Sequence, residues 1–396
     1  MIFFWRCFCL WKRLDCLEIS IVHFTAVIMF STYFVRLTCI ACLAVMSASH
    51  FVYADDDFVP SIMRKDHFIA GTKPCTYVHI REVKGIYGSR ADLPLYPLVL
   101  LHGGAAGGIA CFDLTENGVN TRGGSLAEDL ARQGVHVFIV NLRCFEQSSC
   151  SHYDTNDKEM GAVSLREAYE DLSMAQRWIR KYTNSRKTSL LGWATGGHWA
   201  GYYASKQSKR LANFISVNAL YSVNAPWIYK KAFALNGDTA TYNDQAQPLF
   251  MIRDKDALIR NWMNSLPEQD PSTSVDTSVD TAVVGSYQRA AMNTVINGTP
   301  YMKAPTGSLR ESFYQSNGKR YWEAKDIRVP ILLIRGGRDF WSRPVDNTTF
   351  QYEAKNAPSV MSVTINEATH FPFFARPERG RTEFIKRIVE FLSAKR

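Results

Sequence analysis

One nine-residue stretch, Leu190-Leu191-Gly192-Trp193-Ala194-Thr195-Gly196-Gly197-His198, constrains this chain more than any other. The pattern predicts a strand over Lys187–Leu191 leading into it and a helix over Gly196–Ser205 leading out. A strand that turns directly into a helix needs a tight, strained corner, and residues two before and two after the corner must lack bulk. Gly192 and Gly196 meet that need around Ala194, while Ala200, Gly201 and Ala204 let the helix pack closely.

The surroundings alternate in the same way. Expected strands are an opening pair around Thr76–Val83, then Pro97–Leu101, His136–Leu142 and Asn213–Ala219. Helices are expected over Leu126–Gln133 and Ser164–Tyr182. In the second, Ser164 and Glu167 form a capping box, and Leu165, Ala168, Leu172, Ala175 and Ile179 share one face. Strands alternating with helices imply an α/β protein, a mostly parallel sheet wrapped by helices. From about Val223 to Lys325 the alternation stops. Helical stretches rich in aromatics (Trp227, Tyr229, Phe233, Trp262, Tyr287) flank a polar tract with a duplicated Ser274-Val275-Asp276 and Ser278-Val279-Asp280, expected to be a loop. Alternation resumes with a strand at Ile331–Ile334, a helix at Val345–Lys355, a strand at Ser362–Ile365 and a closing helix at Arg381–Leu392. The expected organisation is therefore a leader at 1–54, a core in two parts, 55–222 and 326–396, and a mainly helical cap insertion at 223–325. Such an insertion would sit over the carboxyl edge of the sheet, where ligands bind in open α/β folds.

With Gly192-Trp193-Ala194-Thr195-Gly196 between strand and helix, the chain resembles the α/β-hydrolase superfamily, particularly its capped esterase, lipase and proline iminopeptidase branches. Three further segments carry the resemblance. His102-Gly103-Gly104 after an early strand looks like the family's oxyanion loop, implying that N–H groups near Gly104 and at Thr195 hold developing negative charge. Gly336-Gly337-Arg338-Asp339 ends a strand and makes Asp339 the implied triad acid; Ala368-Thr369-His370-Phe371-Pro372 makes His370 the implied base. The order nucleophile, acid, histidine is the one this fold uses. No cofactor is implied, and no zinc spacing is present.

The departure is at the nucleophile, where the serine position holds Ala194. Without a hydroxyl the acyl-enzyme route is closed. Thr195 would be a substitute only with Trp193 two residues before it, where the corner demands a small residue. The alanine arises either by natural loss or by a deliberate Ser→Ala change. Three functions stay open: a hydrolase-lineage protein impaired by the missing nucleophile, a binding protein using the capped pocket without turnover, and proton abstraction by His370 and Asp339 alone. The ligand in each case is a small molecule or an acyl or peptidyl compound under the cap. His198 and His102 read as structural, and Trp341 with the cap aromatics reads equally as an acyl pocket or as the cap's own core. Asn297-Gly298-Thr299 and Asn347-Thr348-Thr349 fit the glycosylation acceptor pattern.

The N-terminus reads as a leader. No charged side chain lies between Leu37 and Ala54, Arg36 precedes that run, and Val52-Tyr53-Ala54 ends it before Asp55-Asp56-Asp57. A positive flank, an apolar run and small residues at the first and third positions describe a secretory signal peptide. The expected location is secreted or periplasmic; the alternative is a membrane anchor, and membrane contact is expected only if the leader stays uncleaved. Four basic and two acidic residues lie in the leader, so the rest of the chain carries +7 of the net +9. That excess is scattered, with no basic helix or RNA-binding signature, so no nucleic-acid partner is expected. Five of the nine cysteines lie in the leader, leaving Cys75, Cys111, Cys144 and Cys150. Cys144 and Cys150 flank a short loop and are the expected disulfide.

Overall fold

The computed structural model describes residues 60–87, 95–115, 123–150, 162–245, 248–266 and 279–394. The leader and most of the duplicated polar tract lie outside them. In chain order come β1 (Ser61–Ala70), β2 (Tyr77–Ile86), β3 (Leu98–Leu101), α1 (Gly108–Phe112), α2 (Leu126–Arg132), β4 (Val137–Asn141) and α3 (Leu165–Tyr182). Then follow β5 (Thr188–Trp193), α4 (Thr195–Gln207) and β6 (Leu211–Val217). The insertion contributes α5 (Lys230–Phe233), β7 (Ala234–Leu235), β8 (Asp238–Tyr242), β9 (Phe250–Arg253), α6 (Lys255–Asn264), α7 (Thr281–Ala291), β10 (Thr294–Ile296), β11 (Thr299–Pro305) and α8 (Gly307–Ser316). The chain closes with β12 (Ile331–Arg338), α9 (Pro344–Glu353), β13 (Val360–Thr369) and α10 (Arg381–Ser393).

Eight strands form one sheet in the order β1-β2-β4-β3-β5-β6-β12-β13. The first two join antiparallel, and from β4 onward every pairing is parallel. Every residue of β3, β4, β5 and β6 is buried. Helices cover both faces of a central parallel sheet, so its strands are apolar runs instead of alternating ones. The capping box of α3 is formed as its sequence implies, with Ser164 N–H donating to Glu167 Oε2 at 3.0 Å, and the expected face is buried.

The insertion is mainly helical, as expected, with short strands that the sequence reading did not anticipate. Its helices carry most of its regular structure, but β9, β10 and β11 form a three-stranded sheet and β7 and β8 a hairpin. Two Asn-Gly pairs explain this. Asn236-Gly237 and Asn297-Gly298 both turn with positive φ (50° and 81°; 49° and 78°), the conformation of a two-residue hairpin loop.

Candidate active site

The corner between β5 and α4 is built as its glycines require. Ala194 sits at its apex with φ 54° and ψ −122°, a backbone state that non-glycine residues rarely adopt. A Cβ on Gly192 would lie 2.2 Å from the carbonyl oxygen of Gly196. One on Gly196 would lie 2.3 Å from the carbonyl oxygen of His102, so this glycine also lets α4 meet the end of β3. Thr195 is the first residue of α4, and as a first-turn donor its N–H has no partner within the helix. A Cβ on Gly104 would approach Thr195 Oγ1 to 3.2 Å, so the two segments expected to hold an oxyanion stand side by side.

At the ends of the last two strands, His370 Nδ1 lies 2.7 Å from Asp339 Oδ1. Asp339 also accepts N–H bonds from Trp341 at 2.9 Å and Ser342 at 2.8 Å, and the Ser342 hydroxyl. A carboxylate only accepts, so Nδ1 carries the proton and Nε2 is left as a base. Two residues that no motif marks for this role hold this loop. Trp193 Nε1 donates to the His370 carbonyl at 2.8 Å, and Asn218 Nδ2 donates to the carbonyls of Thr369 and His370 at 3.1 and 3.0 Å. Asn218 Oδ1 meanwhile accepts from Gly336 N–H at 2.8 Å, tying the strand before Asp339 to the loop of His370. The structural readings of the other histidines match their surroundings. His102 donates from Nδ1 to the Gly103 carbonyl at 2.7 Å, and burial pushes its pKa down to about 4. His198 accepts at Nδ1 from Gln315 Nε2 and Trp322 Nε1, and burial takes it to about 3.

These groups meet in one cavity of about 710 Å³, its open mouth included, at the carboxyl ends of β3, β5, β12 and β13. Gly104, Ala194, Thr195 and His370 line its floor; the insertion supplies the roof. The aromatics divide between the two roles open to them. Tyr229, Phe233, Tyr287 and Trp341 face the cavity, whereas Trp262 is buried with its ring 4.4 Å from that of Phe371. Polar groups on the roof include Tyr229, Arg253 and Ser308, of which the last two went unnoticed in the sequence. Ser308 is buried, its hydroxyl has no hydrogen-bond partner among the described residues, and it would lie 2.5 Å from a Cβ on Gly104. No motif marks it, because its place depends on how the insertion folds back.

A family model described as the alpha/beta hydrolase fold matches residues 96–377. The chain belongs to the α/β-hydrolase family. Solved structures similar to it include a serine hydrolase from the polyaromatic-hydrocarbon-degrading bacterium Cycloclasticus zankles, at 11% identity and TM-score 0.51, covering 84% of this chain and 98% of that one. The enol-lactonase from Burkholderia xenovorans LB400 is similar at 13% identity and TM-score 0.51, covering 83% of this chain and all of that one. An α/β-hydrolase fold protein from Chitinophaga pinensis is similar at 14% identity and TM-score 0.50, over 84% and 98% of the two chains. At such identities the likeness is one of fold. No curated protein matches the chain's sequence.

Among the described residues of this α/β-hydrolase, no group of three or more His, Cys, Asp or Glu is arranged to hold a metal ion. Cys144 and Cys150 are joined in a disulfide six positions apart; Cys75 is exposed and Cys111 buried, both as free thiols.

Proposed function

We propose that this α/β-hydrolase binds a small acyl or other carbonyl compound beneath its insertion and lacks serine-type turnover because Ala194 stands at the nucleophile position. One observation carries the reading: the strained apex, the Asp339–His370 pair and the Gly104–Thr195 loop are all assembled around a methyl group. Asp339 acts as the acid that orients His370, and His370 as the base. The N–H groups near Gly104 and at Thr195 receive the ligand's carbonyl oxygen. The leader at 1–54 serves to export the protein. The enol-lactonase and serine hydrolase among the structures of the same fold are in keeping with an ester-like ligand.

The test is a gain of function. Removing a serine nucleophile from a protease triad costs about 10⁶-fold in turnover, or about 8 kcal/mol of barrier. The unmodified protein is expected to be nearly inert toward short p-nitrophenyl esters and unlabelled by a fluorophosphonate probe. Ala194→Ser should bring both activities together, and a further His370→Ala should remove both. High activity in the unmodified protein that is lost on Thr195→Ala would overturn the reading and make threonine the nucleophile.

A second reading has its own support. His370 lines the cavity with its base nitrogen free of Asp339, so the pair can take a proton from an acidic C–H or O–H without a nucleophile. Solvent deuterium exchange into an activated ketone, lost on His370→Ala, would favour it.

A further inference from the structure

Arg253 is the one arginine or lysine among the residues lining the cavity, and the chemistry above does not use it. It ends β9 on the roof, half-buried, and lines the same cavity as Ala194 and His370. Among the described residues no carboxylate pairs with it. Its chain neighbour Asp254 is turned away, accepting the N–H groups of Asp256 and Ala257 at 2.9 and 2.7 Å as the cap of α6. Asp339 is occupied by His370, Trp341 and Ser342. The groups that do act on the guanidinium are two phenols, Tyr229 and Tyr287, and burial pulls its pKa below the ordinary value. Tyr229 has a buried hydroxyl without a hydrogen-bond partner among the described residues, in the same cavity, and burial holds that phenol neutral. Guanidinium stays charged throughout any accessible pH range. A half-buried cation with no carboxylate partner among the described residues, in a largely apolar cavity that it shares with an unused phenol donor, is costly unless a ligand brings the opposite charge.

We infer that the cavity takes amphipathic ligands bearing a carboxylate, which Arg253 and Tyr229 bind at the roof while the apolar body lies along Leu309 and Trp341 toward Ala194. Planar guanidinium and planar carboxylate match in two parallel hydrogen bonds, and the Tyr229 hydroxyl adds a third. The inference rests on the proposed function only in taking this cavity as the ligand site.

The test compares 4-phenylbutyrate with 4-phenylbutyramide, which share shape and differ in charge, by titration calorimetry on the full chain. The acid is expected to bind at least about ten-fold more tightly than the amide, one charge-assisted contact's worth. Arg253→Met should bring the two within about two-fold by weakening the acid far more than the amide, whose continued binding shows that the cavity is intact. Tyr229→Phe should cut the preference by about two- to five-fold, the loss of one hydrogen bond. Equal affinity for acid and amide in the unmodified protein, or a preference that survives Arg253→Met, would overturn the carboxylate assignment while leaving the cavity as a ligand site. Binding of neither compound would overturn the cavity as ligand site and the assignment with it.

Discussion

Ala194 holds a positive φ of 54° that a non-glycine residue adopts only when its surroundings over-determine it, at a cost of about 1–3 kcal/mol. Those surroundings are the closely packed Gly192 and Gly196, and the bond from Ala194 N–H to the Val217 carbonyl at 2.9 Å. The corner and the strand ends that carry Asp339 and His370 were legible in the sequence because each depends on local spacing. Asn218, Ser308 and Arg253 were not: the first two meet partners far away in the chain, and Arg253 reaches the cavity only through the way the insertion folds back. Asn218 offers the sharpest check. It is fully buried and makes three hydrogen bonds, so Asn218→Ala strands the Gly336 N–H and the Thr369 carbonyl in the interior. A loss of about 2–4 kcal/mol is expected in urea unfolding. A loss below about 0.5 kcal/mol, the level of an ordinary surface change, would show that the tie between the two strand ends is not needed.

Among the elements, α8 joins the insertion to the core through Glu311. Its carboxylate oxygens accept Leu165 N–H at 2.5 Å and Trp199 Nε1–H at 3.3 Å, and His198 Nε2 lies 3.7 Å away. Burial nevertheless outweighs those donors and Arg310, and raises the carboxyl from 4.5 to about 8, with Glu167 adding to the rise. The unfolded chain gives up this proton above its ordinary value, whereas the folded chain keeps it until about pH 8. Between those limits the folded state binds the extra proton, so this group's share of stability falls as pH rises. Glu311 alone should contribute a slope of about 1.4 kcal/mol per unit from about pH 5.5 to 7, falling to about half that at about pH 8. His198 and His102, lowered from 6.5 to about 3 and 4 in the fold, act in the opposite sense, because the unfolded chain takes up their protons near 6.5, so the Glu311 share is the difference between the unmodified protein and Glu311→Gln. Across this range denaturant midpoints should rise less, or fall more, with pH in the unmodified protein than in Glu311→Gln; an unchanged slope in the variant would rule Glu311 out as a source. The strands of the insertion show the converse limit. Asn297-Gly298-Thr299 carries a glycosylation pattern and a hairpin turn in the same residues, and the turn is what shapes the chain there.

For the whole molecule, the sheet was legible because its central strands are buried on both faces and stand out as continuous apolar runs, whereas the short strands of the insertion are largely exposed and carry no such mark. The wall of the cavity was equally hidden, since it joins residues from Gly103 to Phe371 that only the closed fold brings together. The leader is the opposite case: its reading rests on sequence alone, as it lies outside the described residues. We propose that export removes it between Ala54 and Asp55. Arg36 supplies the positive flank, Leu37 to Ala54 holds no charge, and Val52 and Ala54 are the small residues such a cleavage requires. The three aspartates that follow would be poorly placed in an apolar span but suit a free, solvated terminus. Cleavage also removes five of the nine cysteines, leaving a mature chain whose Cys144 and Cys150 are paired. Intact-mass measurement of the exported protein should give a chain beginning at Asp55, lighter by a further two mass units than its fully reduced form. A mass that retains Phe51 to Ala54 would refute the cleavage site. A full-length mass in the membrane fraction would make the leader an anchor and tether the cavity to a bilayer.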